Sequence, residues 1–237
     1  MWGIDLEKLD SRLLTAAEFV NPDTIAADVG TDHGYLACYL IDNDICKYVY
    51  ASDINAKPLE SAQKNILEAG LEDKIETCLT DGLDGLSEKG IEEIVICGMG
   101  GENIIGILEK AKWIRTEKVH LVLQPMSRGE TLRKWLLSNG WYIDSEKAVE
   151  ADKHLYTVMS VYYSGEKSTA DEMYYLIGEL EKEPDETAVK YIRWQSDIQR
   201  EIADGLLKSK NYMETALIHQ GLSDMLSEEA DYIEENL

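Results

Sequence analysis

The 237-residue chain is poor in positive charge, with 23 Lys and Arg against 46 Asp and Glu and a formal net charge of −23. Nucleic-acid binding normally uses Lys and Arg to displace phosphate counterions, so the charge balance taken alone argues against an RNA partner. Net charge is an average, however, and a local basic face can still hold a polyanion at moderate salt or with divalent cations. Cysteine is also scarce. Cys38, Cys46, Cys78 and Cys97 form no C-x-x-C pair and have no nearby His partners, which argues against a zinc site and a disulfide framework. They read as small buried hydrophobes, and no metal is expected in the chemistry. No apolar run approaches the roughly 20 residues needed to cross a bilayer. The start, MWGIDLEKLDSRLL, is charged and amphipathic and lacks the apolar core of a signal peptide, so a cytoplasmic protein without membrane contact is expected. A single Phe is offset by 13 Tyr and 5 Trp, and the 44% hydrophobic and 29% charged residues are those of a soluble globular protein.

What is present is a regular alternation of strand and helix signals. Leu6, Leu9, Leu13, Leu14, Ala17 and Phe19 recur at helical spacing up to Asn21-Pro22. TIAADVG then reads as a buried strand entering a Gly-containing turn, followed by YLACYLIDND as a helix. KYVYASD repeats the strand, and PLESAQKNILEAG the helix, with Pro58 in the first turn and Gly70 as the stop. KIETCLTDG, EEIVICGMGG and VHLVLQPM are further strands, with GENIIGILEKAKWI as the helix between the last two and LRKWLLSNG as the next helix. This order predicts an α/β, doubly wound, mostly parallel sheet. WYIDSEKAV and LYTVMSVYY are separated by too short a connection for a parallel crossover, so they must pair as a terminal antiparallel hairpin. After the polar stretch SGEKSTADE, Ala188, Tyr191, Ile192, Gln195, Ile198, Ile202 and Leu206 share one predicted helical face. Met213, Ala216, Leu217, Met225, Tyr232 and Ile233 share another, which predicts a helical hairpin. The chain thus divides into residues 1–163 and a helical domain of residues 164–237.

The chemistry-bearing motifs fall at the expected carboxyl ends of the strands. D-V-G-T-D-H-G, Asp28 to Gly34, sits between the first strand and its helix, where a glycine turn lets the backbone approach a ligand. Its spacing resembles the methyltransferase pattern D/E-x-G-x-G-x-G with Asp32 in place of the middle Gly, and it fails as a dinucleotide G-x-G-x-x-G. An acid there would repel a pyrophosphate but tolerate the sulfonium and ammonium of S-adenosylmethionine. Asp53 ends the second strand, where Rossmann-type folds place the acid that accepts from ribose hydroxyls; a helix N-cap is its alternative role. Asp81-Gly82 follows the third strand, where methyltransferases hold the adenine; a simple turn would look the same. C-G-M-G-G, Cys97 to Gly101, ends the fourth strand, and its glycines open space for a planar acceptor or merely fit strand to helix. A parallel sheet ending in an antiparallel hairpin distinguishes the Rossmann-like class I methyltransferase sheet from most dehydrogenases.

Together these residues resemble the bacterial tRNA (adenine-22-N1)-methyltransferase family. DVGTDHGYL, ASDINAKPLESAQ, TDGL, CGMGGENI, LVLQPM and LRKWLLSNG carry the resemblance, from roughly Leu9 to Tyr163. The family also appends a coiled-coil-like domain; it often has Asn where Met126 stands and Ala where Gly34 stands. The resemblance implies transfer of a methyl group from S-adenosylmethionine to N1 of an adenine in tRNA, leaving S-adenosylhomocysteine. That adenine must be freed from the tertiary structure of the tRNA. The implied cofactor contacts are Asp28, Gly30, Thr31, His33, Gly34, Asp53, Ile54, Asp81, Gly82, Gly98, Met99 and Gly100, with Asp28 and then Asp32 as the carboxylates nearest the chemistry. On the substrate side stand Gly101, Gln124 and Pro125, with Lys8, Arg12, Arg128 and Arg133 as phosphate contacts, although a solvated helix face explains the basic residues equally well. His33 can stack near the site or serve the turn, and Trp113, Trp135 and Trp141 can stack on a base or fill the core.

Two rival readings stay open. The charge of −23 favours a methyltransferase acting on a small molecule or a protein. A non-catalytic S-adenosylmethionine-binding or partner-binding module, with the helical tail as its interaction surface, would also fit. The oligomeric state is not legible.

Overall fold

The computed structural model describes residues 9–208 and 210–237. Helix α1 (Ser11–Phe19) starts where the Asp10 side chain accepts from the backbone N–H groups of Arg12 and Leu13, satisfying two of the donors that a helix leaves unpaired. The Leu6 end of the expected first helix, and Lys8, lie outside the described residues. The alternation then runs β1 (Thr24–Val29), α2 (Tyr35–Asp42), β2 (Cys46–Asp53), α3 (Ala56–Ala69), β3 (Ile75–Leu79), β4 (Glu93–Gly100), α4 (Gly101–Lys110), β5 (His120–Ser127), α5 (Gly129–Ser138), β6 (Trp141–Ala151) and β7 (His154–Tyr163).

The seven strands form one sheet in the order β3-β2-β1-β4-β5-β7-β6. β1 to β5 are parallel, and β7 pairs antiparallel with both β5 and β6. The hairpin turns through Asp152 and Lys153 at φ 48° and 64°, the left-handed pair that matches the twist of two antiparallel strands. β1 and β4 read as continuous apolar runs because helices cover both faces of the sheet. One core layer gathers Leu36, Leu40, Val49 and Ile66. The other gathers Ile94, Ile96, Ile104, Leu121, Leu132 and Trp141. The strand order reverses between β1 and β4, so the carboxyl ends of these two strands form the crevice in which open sheets bind ligands.

At the opposite ends of the strands lies a closed polar network. His120 Nδ1 is 2.7 Å from Glu93 Oε2 and its Nε2 is 2.8 Å from Ser160 Oγ, with the ring stacked on Tyr162. All three of His120, Glu93 and Ser160 are buried, so the network ties β4, β5 and β7 together away from solvent.

Beyond Tyr163 come α6 (Glu172–Ile177), α7 (Glu186–Leu207) and α8 (Met213–Asn236), the last two packed as a hairpin. Their seam differs from the apolar faces read from the sequence. Ala188, Ile192, Ser196, Gln199 and Ala203 of α7 meet Ala216, Ser223, Leu226, Ala230 and Ile233 of α8, at steps of three, four or, once, seven residues. Ser196 Oγ donates to the Ser223 carbonyl (2.8 Å), and His219 Nδ1 lies 2.7 Å from Gln199 Oε1. Small residues bring the two backbones close, and that displaces the larger apolar residues. Met213, Leu217, Met225 and Tyr232, expected in the core, are exposed, as is Ile202 of α7.

A buried ion pair ties α5 and β6 to α6, beside the apolar contact of Ala148 with α7. Arg133 of α5 donates Nε to Glu146 Oε2 (3.1 Å), pairs its Nη2 with Glu146 Oε1, and gives Nη1 to the carbonyls of Tyr175 (2.9 Å) and Leu176 (3.1 Å) in α6. Arg133 was expected to contact phosphate; its side chain is 0% exposed, so it cannot do so. Among the described residues no helix is long and apolar enough to cross a membrane.

Candidate active site

The turn after β1 is built from backbone conformations that few residues tolerate. Gly30 and Gly34 have φ of 77° and 72°, and Asp32 has φ of 50°. Asp32 therefore occupies the left-handed conformation that the glycine of the methyltransferase pattern would adopt, and a short polar side chain is among the few that bear it. The N–H groups of Gly30 and Thr31 donate to the Ser52 carbonyl at 2.8 and 3.0 Å, which pins the turn to the end of β2. The φ of Gly30 is the reason for a glycine there, since a Cβ would meet only the far end of the Met99 side chain, its Cε at 2.3 Å.

Asp28 is buried at the end of β1 and accepts from the Thr31 hydroxyl at 2.5 Å. Burial pushes its carboxyl up to about 6, against the opposing pull of the Thr31 hydroxyl and the Ala37 amide, with Asp53 adding to the rise. Such a carboxyl sits between its two protonation states near neutrality and gains most from a cation placed beside it. Burial also raises the Cys97 thiol, so the thiol next to Asp28 stays protonated and is no nucleophile.

Two cavities flank Gly30 and share it. One, of about 420 Å³, is lined by Asp53, Ile54, Asp81, Gly82, Met99 and Asn103 among others. The other, of about 470 Å³, is lined by Arg12, Asp28, Thr31, Asp32, His33 and Gly98 among others. In the first, Asp53 Oδ1 accepts from the Asn55 N–H at 2.8 Å, Ile54 is exposed, and Lys110 Nζ reaches Asp81 Oδ2 at 2.6 Å. In the second, Arg12 pairs with Asp10, contacts the Met126 sulfur and lies over the Tyr156 ring. Its side chain is only 20% exposed, so Arg12 faces this cavity and not an outer, phosphate-facing surface as expected. His33 stacks on Tyr35 and lies 3.6 Å from Asp32, both at the solvent-facing side of the cavity.

The fourth-strand motif bulges at Gly98, whose φ is 79° and whose N–H donates to Gln124 Oε1 at 3.0 Å. Gln124 was expected to touch substrate. It is 0% exposed, with its amide nitrogen given to the Pro125 carbonyl, so it shapes the bulge and cannot reach an acceptor. Gly34, Gly100 and Gly101 line neither cavity. Gly34 starts α2 against Ala62, and Gly101 lies where a Cβ would come within 2.4 Å of the Arg128 carbonyl. A third cavity, of about 620 Å³, separates the sheet from the helical hairpin and is lined by Pro125, Met126 and Arg128 on one side and by residues of α7 and α8 on the other. Met126 lines both this cleft and the Asp28 cavity. Of the tryptophans expected as stacking partners, Trp141 is fully buried and Trp113 and Trp135 pack against the same core layer.

Sequence reading missed Asn103, Ile107 and Lys110, which with Gly106 face the first cavity from α4. Their spacing of three and four residues directly after C-G-M-G-G was the available signal. It also missed Trp194, which lines the cleft from α7.

The two cavities on either side of Gly30 suit S-adenosylmethionine. A ligand threaded past Gly30 would place a nucleoside end among Asp53, Ile54 and Asp81, and an amino-acid end between the Asp28 carboxyl and the Arg12 guanidinium. Carboxylates at both ends suit hydroxyls, an amino group and a sulfonium, and oppose a pyrophosphate. Sheet order and site together define a Rossmann-like class I methyltransferase. The family described as a methyltransferase domain matches residues 9–159. The tRNA (adenine(22)-N(1))-methyltransferase of Bacillus subtilis strain 168 is 34% identical over 163 residues, 69% of this chain and 68% of that protein. The crystal structure of the B. subtilis tRNA methyltransferase of adenine 22 superposes with a TM-score of 0.82 at 27% identity, covering 93% of this chain and 99% of that one. The M. capricolum counterpart, solved with the cofactor product S-adenosylhomocysteine, gives 0.79 at 26% identity over 94% of this chain and 99% of that one. The chain belongs to the tRNA (adenine-22-N1)-methyltransferase family.

Proposed function

We propose that this protein transfers a methyl group from S-adenosylmethionine to N1 of adenine 22 in tRNA, in the cytoplasm. Residues 1–163 form the catalytic domain and residues 164–237 the helical one. The observation that carries this reading is the pair of adjacent cavities that share Gly30, each with carboxylates in its lining, with Met126 common to one of them and the interdomain cleft.

S-Adenosylmethionine supplies an electrophilic methyl group on a sulfonium. Asp53 accepts from its ribose hydroxyls, Asp81 from the adenine amino group, and Ile54 and Met99 cover the base. Asp28 takes the ammonium and Arg12 the carboxylate. The acceptor adenine lies over the opened backbone of Gly98, beside Asp32 and Met126. Neutral adenine already carries a lone pair on N1, so no residue has to act as a strong base. What the protein contributes is alignment and a field of carboxylates that favours the cationic product, with Asp28 nearest and Asp32 at the rim. Arg128, 65% exposed at the edge of the cleft, meets phosphate.

The net charge of −23 favours the second reading, a small-molecule or protein acceptor. The deciding experiment incubates the protein with labelled S-adenosylmethionine and unmodified tRNA at low salt with magnesium, then maps the modified nucleoside. Label at adenine N1 that Asp28→Ala abolishes, and that falls steeply with added salt, supports tRNA. Tight cofactor binding with no label in any tRNA overturns it in favour of the second reading.

A further inference from the structure

The interdomain cleft holds an aromatic side chain that the proposed chemistry leaves unused. Trp194 of α7 is 41% exposed and lines the cleft together with Met126, Tyr156, Ile198 and Ile202. Exposing an indole inside a concave site is costly unless something covers it, and the usual partner of an exposed aromatic in an RNA-modifying enzyme is a base with its own π-face. The indole is also held still. Trp194 makes a T-shaped contact with Tyr191, ring centroids 5.4 Å apart, and Tyr191 is buried against the Arg133–Glu146 ion pair. A platform anchored in this way loses little side-chain entropy when a ligand stacks on it.

We propose that Trp194 stacks on the nucleobase next to the target adenine in the RNA strand, so that the cleft is a second nucleobase subsite. This rests on tRNA being the acceptor. The target adenine belongs over Gly98, which lines the Asp28 cavity and not the cleft. Met126 is common to both, so it separates neighbouring nucleotides of one strand. Arg128 lies on the same rim, placed to take a phosphate between them, while Gln195 supplies a polar group to the edge of the stacked base.

The test combines Trp194→Ala and Trp194→Phe with unmodified tRNA and with the same tRNA carrying an abasic ribose immediately 5′ or 3′ of the target adenosine. Filter binding at low salt gives the tRNA Kd. Calorimetric S-adenosylhomocysteine affinity and the melting temperature show that each variant is folded. Trp194→Ala is expected to weaken intact tRNA about 5- to 150-fold with unchanged S-adenosylhomocysteine affinity. Trp194→Phe is expected to keep most of the binding, and on one of the two abasic tRNAs wild type and Trp194→Ala should bind alike. A penalty that persists equally on both abasic tRNAs, or no penalty on intact tRNA, overturns the subsite. A wild-type protein that binds S-adenosylhomocysteine but no tRNA overturns the acceptor, and the subsite with it.

Discussion

Asp28 concentrates the electrostatics of the site in one group. Its carboxyl titrates near 6 in the folded chain, above the ordinary 3.8, because burial disfavours the charge. Between roughly pH 4 and pH 6 the folded protein therefore binds a proton that the unfolded chain does not, and this group's contribution to stability falls as pH rises through that interval. With Asp28 in its proposed place beside the cofactor ammonium, cofactor binding is expected to run the other way, since an ammonium needs the carboxylate. S-Adenosylhomocysteine affinity should rise with pH up to about 6 and level off above it, falling by up to about tenfold per pH unit below. Calorimetry at pH 5 and pH 7 checks this. Asp28→Asn should weaken binding at pH 7 by about 10- to 150-fold, the cost of one hydrogen bond to a charged group, and flatten the profile. A profile that keeps its slope in Asp28→Asn would assign the titration to another group.

The strand ends work as coupled loops and not as separate motifs. The β4–α4 junction packs on the β5–α5 loop, where Arg128 takes the left-handed φ of 58° and where its carbonyl leaves no room for a Cβ on Gly101. Gly101→Ala must push two backbones apart, which is expected to cost about 1–3 kcal/mol and to lower the methyl-transfer rate at least about tenfold by moving Gly98 and Arg128. Gly221→Ala in α8 is the contrast. Nothing lies within 4 Å of its added Cβ, so it should raise stability by about 0.5–1 kcal/mol and leave the rate unchanged. Thermal melting and single-turnover rates distinguish the two. The α7–α8 seam makes a related point. Apolar periodicity located both helices, but their contact also takes in Ser196, Gln199, Ser223 and His219 among its alanines, Ile192, Leu226 and Ile233, because polar residues that satisfy each other can occupy a seam and leave Leu217 and Met225 outside.

Arg133 and Glu146, whose charges are both fully buried, add a polar link to the apolar contact of Ala148 with α7 that joins sheet and helices. Their partners span α5, β6, β7 and α6, since Nη2 also reaches the Thr157 hydroxyl at 3.1 Å. Removing one partner leaves the other charge buried and uncompensated, so Arg133→Ala should destabilise by about 3–5 kcal/mol. For a chain of this size that corresponds to roughly 6–20 °C in melting temperature. Replacing both by Leu should recover part of the loss, because two well-packed apolar side chains need no pairing. Since the pair also anchors Tyr191, Arg133→Ala at a temperature where it remains folded should weaken tRNA more than it weakens S-adenosylhomocysteine. Equal losses for both ligands would show that the helical hairpin does not share in RNA binding.

The order of strands and helices, the terminal hairpin and the placing of Asp28, Asp53 and Asp81 at the strand ends, where they line the cavities, were legible in the amino-acid order itself, because period, turn chemistry and glycine placement act over a few neighbouring residues. The tertiary structure alone decided which polar side chains face a ligand. Arg133 and Gln124 look like surface groups in sequence, yet each finds acceptors or donors on strands and helices far along the chain and is drawn inside. Lys110 and Trp194 have no motif of their own and line their cavities only because α4 and α7 pack where they do. Local periodicity sets how an element is built; burial of a charge depends on partners that only the packed fold brings within hydrogen-bond distance.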